Sequence, residues 1–230
     1  MRKILVVDDE PMIIDVLRAL FESQNDSVKT ADTGLKALDL FQSDTFDLII
    51  LDLMLPDMTG EEVCKSIRQT SKVPIIMLTA KSEEEDLLFG LGIGADDYIT
   101  KPFSIKTLLA RAEAVLRRTS YIERENHETK RFSFGNLEFD FEKNEFKKAD
   151  KLIALTPNES RLLFALVKNP GRVFSRQELI DLAFGNDFDG FDRAVDSHIK
   201  NLRYKLEDSP KMPQFIITVH GLGYKFGGNA

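Results

Sequence analysis

Through the first half of the chain, short apolar runs alternate with stretches that repeat their apolar positions every three or four residues. KILVV at 3–7 stops at Asp8, Asp9 and Glu10, and Pro11 then opens a pattern with Ile13, Ile14, Leu17, Leu20 and Phe21 on one helical face. Residues 27–31 make a weaker strand candidate, followed by a helix over 34–41 with Leu35, Leu38 and Phe41 at core spacing. The run Leu48 to Leu51 ends in Asp52, a loop marked by Pro56, Asp57 and Gly60 follows, and 61–68 is helical with Val63, Cys64 and Ile67 inward. VPIIMLTA at 73–80 is a fourth strand ending in Thr79, and the acids at 83–86 open a helix over 83–90. A short strand over 97–100 runs into KPF at 101–103 before a helix over 105–118. Strands alternating with helices of this length predict an α/β unit, a (βα)5 doubly wound parallel sheet covered on both faces.

In such a sheet every strand points its carboxyl end to the same edge. Asp8 and Asp9, Asp52, Thr79 and Lys101 each stand at or just after a strand end, so they are expected to converge. Crowded carboxylates repel one another unless a cation offsets them, and oxygen ligands with open positions suit Mg²⁺. Such a site fits in-line phosphoryl transfer, with Asp52 as nucleophile, Lys101 as a point charge for a phosphate oxygen and Thr79 as a hydroxyl donor. The Lys101–Pro102 bond is a candidate for the cis form, which would aim the lysine inward. A phosphatase of the haloacid-dehalogenase type also uses a strand-end Asp and Mg²⁺. It needs a second acid two residues on, where this chain has Met54.

The periodicity changes after this unit. Residues 120–131 are polar and without period, and read as a linker between a domain at 1–119 and another at 132–230. Phe132, Phe134, Leu137, Phe139 and Phe146 lie in short stretches broken by turn residues, which predicts an antiparallel meander. TPNE at 156–159 and SRQE at 175–178 are capping boxes that open two helices, and 184–192 is an acidic loop interrupted by glycine. A third helix, at 193–207, carries Val195, Ile199, Leu202 and Leu206 as its buried stripe. Its other face is read as Arg193, Ser197, His198, Lys200, Asn201, Arg203 and Tyr204. A charged helix face is most often only solvated. Here a preceding helix and a hairpin signal at 215–226, turning at Gly221 to Gly223, predict an α+β winged helix-turn-helix.

Charge is divided unevenly. Residues 1–119 hold 14 Lys/Arg against 21 Asp/Glu, which is the whole formal net charge of −7, and the remainder balances at 17 against 17. Residues 193–230 carry six basic side chains against three acidic ones, so an acidic chain still ends in a locally basic segment suited to nucleic acid. The single cysteine, Cys64, excludes an intrachain disulfide, and the histidines at 127, 198 and 220 lack metal-ligand spacing. No signal-peptide core precedes Lys3 and no apolar run approaches the ~18 residues that span a bilayer, so a soluble, cytoplasmic chain is expected.

Residues 1–119 resemble a response-regulator receiver domain through VVDDE, IILDLMLPDMTG, the LTA ending in Thr79 and GADDYITKPF. The resemblance implies phosphorylation of Asp52 by a sensor histidine kinase, and Mg²⁺ held by Asp8, Asp9, Asp52 and the Met54 carbonyl. It also implies that Tyr98 moves with Thr79, and that enzymatic turnover is limited to the domain's own phosphotransfer and dephosphorylation. TPNESRLL, RAVDSHIKNLRYKLE and TVHGLGYKF resemble the DNA-binding half of OmpR/PhoB-family regulators. That implies a recognition helix in the major groove and a wing, with His220 and Tyr224, near the minor groove. The expected function is a phosphorylation-switched transcriptional regulator that dimerises through its receivers on tandem DNA half-sites. The alternative is a phosphorylation-independent DNA-binding or scaffold protein. Asp96, Asp97 and Arg111 are candidate charges on the dimer face. The chain departs from the family at Leu87 and Thr107, where a basic and an acidic partner are usual, and at His220, where Arg is usual. An apolar contact at Leu87 is expected to replace the lost ion pair. The acidic loop is a candidate contact for RNA polymerase.

Overall fold

The computed structural model describes residues 1–80, 94–124, 131–184 and 194–227. The helix expected over 83–90, with Leu87, lies outside the described residues, as do Arg193 and nearly all of the acidic loop. The chain divides into two compact units, Met1–Leu116 and Arg117–Ala230.

The first unit runs β1 (Lys3–Val7), α1 (Pro11–Ser23), β2 (Ser27–Ala31), α2 (Gly34–Ser43), β3 (Leu48–Asp52), α3 (Gly60–Arg68), β4 (Ile75–Thr79), β5 (Asp97–Thr100) and the first part of α4 (Ile105–Arg124), which continues past the boundary at Leu116. The five strands form one parallel sheet in the order β2-β1-β3-β4-β5. β3 and β4 are buried along their whole length, because βα crossovers place helices on both faces of the sheet. One core joins Ile4, Val6, Leu48, Ile50, Ile76, Leu78 and Ile99 to Ile14, Leu17 and Phe21 of α1 and Leu108, Ala112 and Val115 of α4. Burying each of these large side chains contributes roughly 1.5–3 kcal/mol. The register pairs Asp52 with Leu78 and Thr79 with Thr100, so the strand ends align at one edge.

α4 corrects the sequence reading at its far end. It continues to Arg124, well into the segment expected to be linker. Polarity suggested a linker, but there is neither Gly nor Pro between Ile105 and Phe134 to stop a helix of good formers.

The second unit begins with β6 (Arg131–Phe134), β7 (Leu137–Asp140), β8 (Glu145–Lys148) and β9 (Lys151–Leu152), an antiparallel meander in sequential order. Three helices follow, α5 (Pro157–Lys168), α6 (Arg176–Phe184) and α7 (Ala194–Leu206), and then the hairpin β10 (Ile216–Val219) and β11 (Gly223–Phe226). Both capping boxes form: Thr156 with Glu159, and Ser175 with Glu178. Phenylalanines weld the meander to the rest, with Phe134 centred 4.6 Å from Phe226 of β11 and Phe141 4.9 Å from Phe164 of α5. Phe174 pairs with Tyr224 across an isolated bridge, and a Cβ on Gly223, held at φ +143°, would strike the Phe174 carbonyl.

Candidate functional site

The strand ends of the first unit converge as expected. Asp8 follows β1 and Asp52 closes β3. Both are buried, whereas Asp9 is exposed at the mouth. Carboxylate oxygens of Asp8, Asp9 and Asp52 lie within 4.8 Å of one another. Lys101 reaches in from the β5 end, with its Nζ 2.9 Å from Asp8 Oδ2, 3.0 Å from Asp52 Oδ2 and 3.1 Å from Glu10 Oε1. Its backbone N–H donates to the Thr79 carbonyl, and the Lys101–Pro102 bond is cis.

The electrostatics follow from burial against pairing. Burial pushes the Asp8 carboxyl above its usual range, partly offset by Lys101 and by the Glu10 backbone N–H. Burial pushes the Lys101 ammonium the other way, but its bonds to Asp8 and Asp52 outweigh that and hold it above the lysine range. Asp8 Oδ2 pairs with the Lys101 ammonium at 2.9 Å and takes no further hydrogen bond among the described residues. A buried carboxylate oxygen left in this state, in a set of three oxygen donors, fits a hard divalent cation.

Thr79 is buried at the end of β4. Tyr98 points inward, with its hydroxyl 2.8 Å from Met77 Sδ, and burial holds its phenol well above the usual range. Met54 exposes its side chain, and its backbone bridges to Thr59 across the loop after β3. That loop is closely built. Gly60 donates to the Leu53 carbonyl, and a Cβ on Gly60 would meet the carbonyl of Asp52. Asp57 accepts from the N–H groups of Gly34, Leu35 and Met58, so one carboxylate fastens the loop to the start of α2. These bonds hold the Asp57 carboxyl below its usual range.

All three of the expected dimer-face charges, Asp96, Asp97 and Arg111, are paired inside the unit. Asp96 is 1% exposed and takes Arg68 Nη2 at 2.9 Å and the Ile75 N–H at 3.0 Å. Its expected role as an exposed charge is therefore corrected: it is a buried clamp at the start of β5. Asp97 is likewise buried and binds Arg111 of its own chain at 2.8 Å. Thr107 is exposed, and its hydroxyl lies 2.6 Å from that of Ser104 at the start of α4.

On α7, Ser197, Lys200, Asn201 and Tyr204 stand at i, i+3, i+4 and i+7, with Lys200 and Tyr204 exposed, so these four share one helix face. Three residues of the expected contact surface lie elsewhere. His198 is 0% exposed, because at i+3 from Val195 and i−4 from Leu202 it belongs to the core stripe. Arg203 donates to the Ile216 carbonyl at 2.7 and 2.9 Å and to Thr218 Oγ1 at 2.8 Å, locking α7 to the hairpin. Tyr224 is buried and its hydroxyl meets Asp196 Oδ1 at 2.7 Å; burial, and after it this hydrogen bond, pushes the phenol up to about 12. Arg176 binds the same Asp196 oxygen, and the Arg176 and Arg203 guanidiniums lie 5.4 and 5.7 Å from the Tyr224 ring centre. His220 is exposed in the hairpin turn.

Burial, then the nearby Arg161 and Lys205 charges, lower His198 to about 3. The folded unit therefore keeps His198 neutral while the unfolded chain protonates near pH 6.5. Its stabilising contribution is complete above that pH and is lost as pH falls toward about 3, with a slope of about 1.4 kcal/mol per pH unit for one proton. His198→Leu is expected to flatten the acid side of a melting-temperature profile between pH 7 and 4. A mutant profile as steep as wild type would rule His198 out as the cause.

Sequence reasoning missed Glu10 as a partner of Lys101, Arg68 as the partner of Asp96, Asp57 as a loop anchor, and the Asp196 cluster. Only His198 left a legible signal, through its place in the stripe.

Residues 4–113 match the family described as response regulator receiver domain, and residues 150–226 match the family described as transcriptional regulatory protein, C terminal. The alkaline phosphatase synthesis transcriptional regulatory protein PhoP of Bacillus subtilis is 43% identical over 230 residues, covering 97% of this chain and 96% of PhoP. The sensory transduction protein RegX3 of Mycolicibacterium smegmatis is 40% identical over 228 residues, covering 99% and 100%. Among solved structures, a RitR mutant superposes with a TM-score of 0.84 at 26% identity, covering all of both chains.

Proposed function

The chain belongs to the response regulators that join a receiver domain to an OmpR/PhoB-type DNA-binding domain, and from that premise we propose that Asp52 is the residue whose phosphorylation switches it. The observation that carries this reading is the Lys101 ammonium held between two buried carboxylates, Asp8 and Asp52, at the edge where the strands end.

Asp8, Asp9, Asp52 and the Met54 carbonyl would hold Mg²⁺. Bound there, the cation would neutralise the crowded carboxylates and the oxygens of an incoming phosphoryl group. An Asp52 oxygen attacks the phosphorus of a phosphohistidine on the sensor kinase. The P–O bond of an acyl phosphate forms as the P–N bond breaks, and the imidazole leaves with the electron pair and takes up a proton. Attack by water returns the carboxylate and inorganic phosphate, so the receiver's chemistry is confined to its own loading and unloading. The Lys101 ammonium follows the new charge onto a phosphoryl oxygen, and the Thr79 hydroxyl turns to another, with Tyr98 moving as Thr79 moves. The loaded receivers pair as a homodimer and bring two winged helices onto tandem half-sites about one DNA turn apart.

On DNA, Ser197, Lys200, Asn201 and Tyr204 face the major groove and His220 stands at the wing without the fixed charge of an arginine. Lys200→Ala is expected to weaken binding to all sequences alike and to lower the slope of log affinity against log salt by about 0.9, measured by titration at several salt concentrations. An unchanged slope would remove Lys200 from the phosphate contacts.

The whole reading is tested by binding to a tandem-site duplex with and without a small phosphoryl donor and Mg²⁺. Affinity is expected to rise on addition of the donor. Equal affinity in a chain that has incorporated phosphoryl would leave a DNA-binding protein that phosphorylation does not switch.

A further inference from the structure

Glu10 is the N-cap residue of α1, a position whose side chain ordinarily accepts from the first turn of the helix, yet it makes no such bond here. Its backbone N–H is fixed on Asp8 Oδ1 at 2.9 Å, and its carboxylate, 60% exposed, turns to Lys101 Nζ at 3.1 Å. An acidic residue at a helix N-terminus needs no further explanation from the dipole alone. The direction of the side chain does, because it reaches an ammonium already paired with two other carboxylates.

The three contacts of Lys101 are not equivalent. Asp8 and Asp52 belong to the triad that fits a divalent cation, and Glu10 lies outside it. A cation entering the triad repels the ammonium and competes for the same Asp8 and Asp52 oxygens, so Lys101 must part from them. Resting on the metal reading given above, we propose that Glu10 is a positioning residue for Lys101: it keeps the ammonium at the rim when a divalent cation takes Asp8 and Asp52. Glu10 is one of three partners before the cation binds and the remaining carboxylate partner afterwards. Its contact is therefore worth more in the loaded state, and it favours cation binding. It also leaves Lys101 within reach of an arriving phosphoryl group in place of releasing it to solvent.

The test is Mg²⁺ affinity of the full chain by isothermal titration calorimetry, for wild type, Glu10→Gln, Lys101→Gln and the double variant. Glu10→Gln is expected to weaken Mg²⁺ binding about tenfold when Lys101 is present, the scale of one charged hydrogen bond, and about twofold or less in the Lys101→Gln background. A loss of equal size in both backgrounds would overturn the proposal, since a through-space field or direct ligation by Glu10 does not depend on the lysine. No effect in either background would overturn it as well. If wild type itself bound no Mg²⁺, the metal reading would fall and the role of Glu10 with it, an outcome separate from a wild type that binds without coupling.

Discussion

An Asp52→Ala chain is expected to incorporate no phosphoryl label from a kinase or a small donor, while its circular dichroism and thermal transition stay close to wild type. The chemical loss is complete because no other oxygen takes the same place. Asp8 is as buried but follows a different strand, and Asp9 is exposed at the mouth. The fold survives because Lys101 keeps Asp8 at 2.9 Å and Glu10 at 3.1 Å, so removing Asp52 does not strand a half-buried ammonium without a carboxylate. β3 continues to be held by its neighbours through main-chain bonds, including Leu53 N–H to the Leu78 carbonyl at 3.0 Å. Label retained on the mutant in the presence of Mg²⁺ would move the acceptor elsewhere.

Arg68→Ala is expected to cost about 3–5 kcal/mol, the scale for removing one partner of a buried ion pair. Asp96, 1% exposed, would lose its guanidinium partner while keeping the Ile75 N–H, at a site where the Arg68 side chain is 9% exposed. The same guanidinium also donates to the carbonyls of Gly94 at 2.8 Å and Val73 at 2.6 Å, so α3 and the starts of β4 and β5 come apart together. For a unit of this size the melting temperature should fall by roughly 10–20 °C. The Arg68→Ala, Asp96→Ala double variant should recover part of that loss, since it deletes both charges. A single mutant melting within about 2 °C of wild type would show that the clamp is dispensable.

The parts of the fold that could be read from the sequence are those where local chemistry decides the outcome. β1, β3 and β4 are apolar runs ended by Asp8, Asp52 and Thr79, and a buried parallel strand has almost no other sequence form. The capping boxes at Thr156 and Ser175 set helix starts to within a residue. What could not be read depends on a second element arriving to cover a side chain. Arg203 was expected on an open helix face because a heptad pattern does not say that the Ile216 carbonyl will stand beside it. Asp96 and Asp97 are adjacent acids that look like surface charges, and only the folded register brings Arg68 and Arg111 to them. α4 outran its expected end for the opposite reason. Its continuation is local: the segment has the polar composition of a linker but no glycine or proline to end the helix.

The loop behind Asp52 has one further consequence. Asp57 grips three N–H groups, two of them at the start of α2, and Gly60 lets the backbone close tightly against the Asp52 carbonyl. In mechanical language, this makes the α2 side of the pocket a fulcrum. A load placed on Asp52 meets a support there, while on the other side the chain is joined across the sheet by Leu53 N–H to the Leu78 carbonyl and by Lys101 N–H to the Thr79 carbonyl. Loosening the fulcrum with Asp57→Ala would let the load dissipate locally, giving a receiver that still accepts phosphoryl but no longer transmits it.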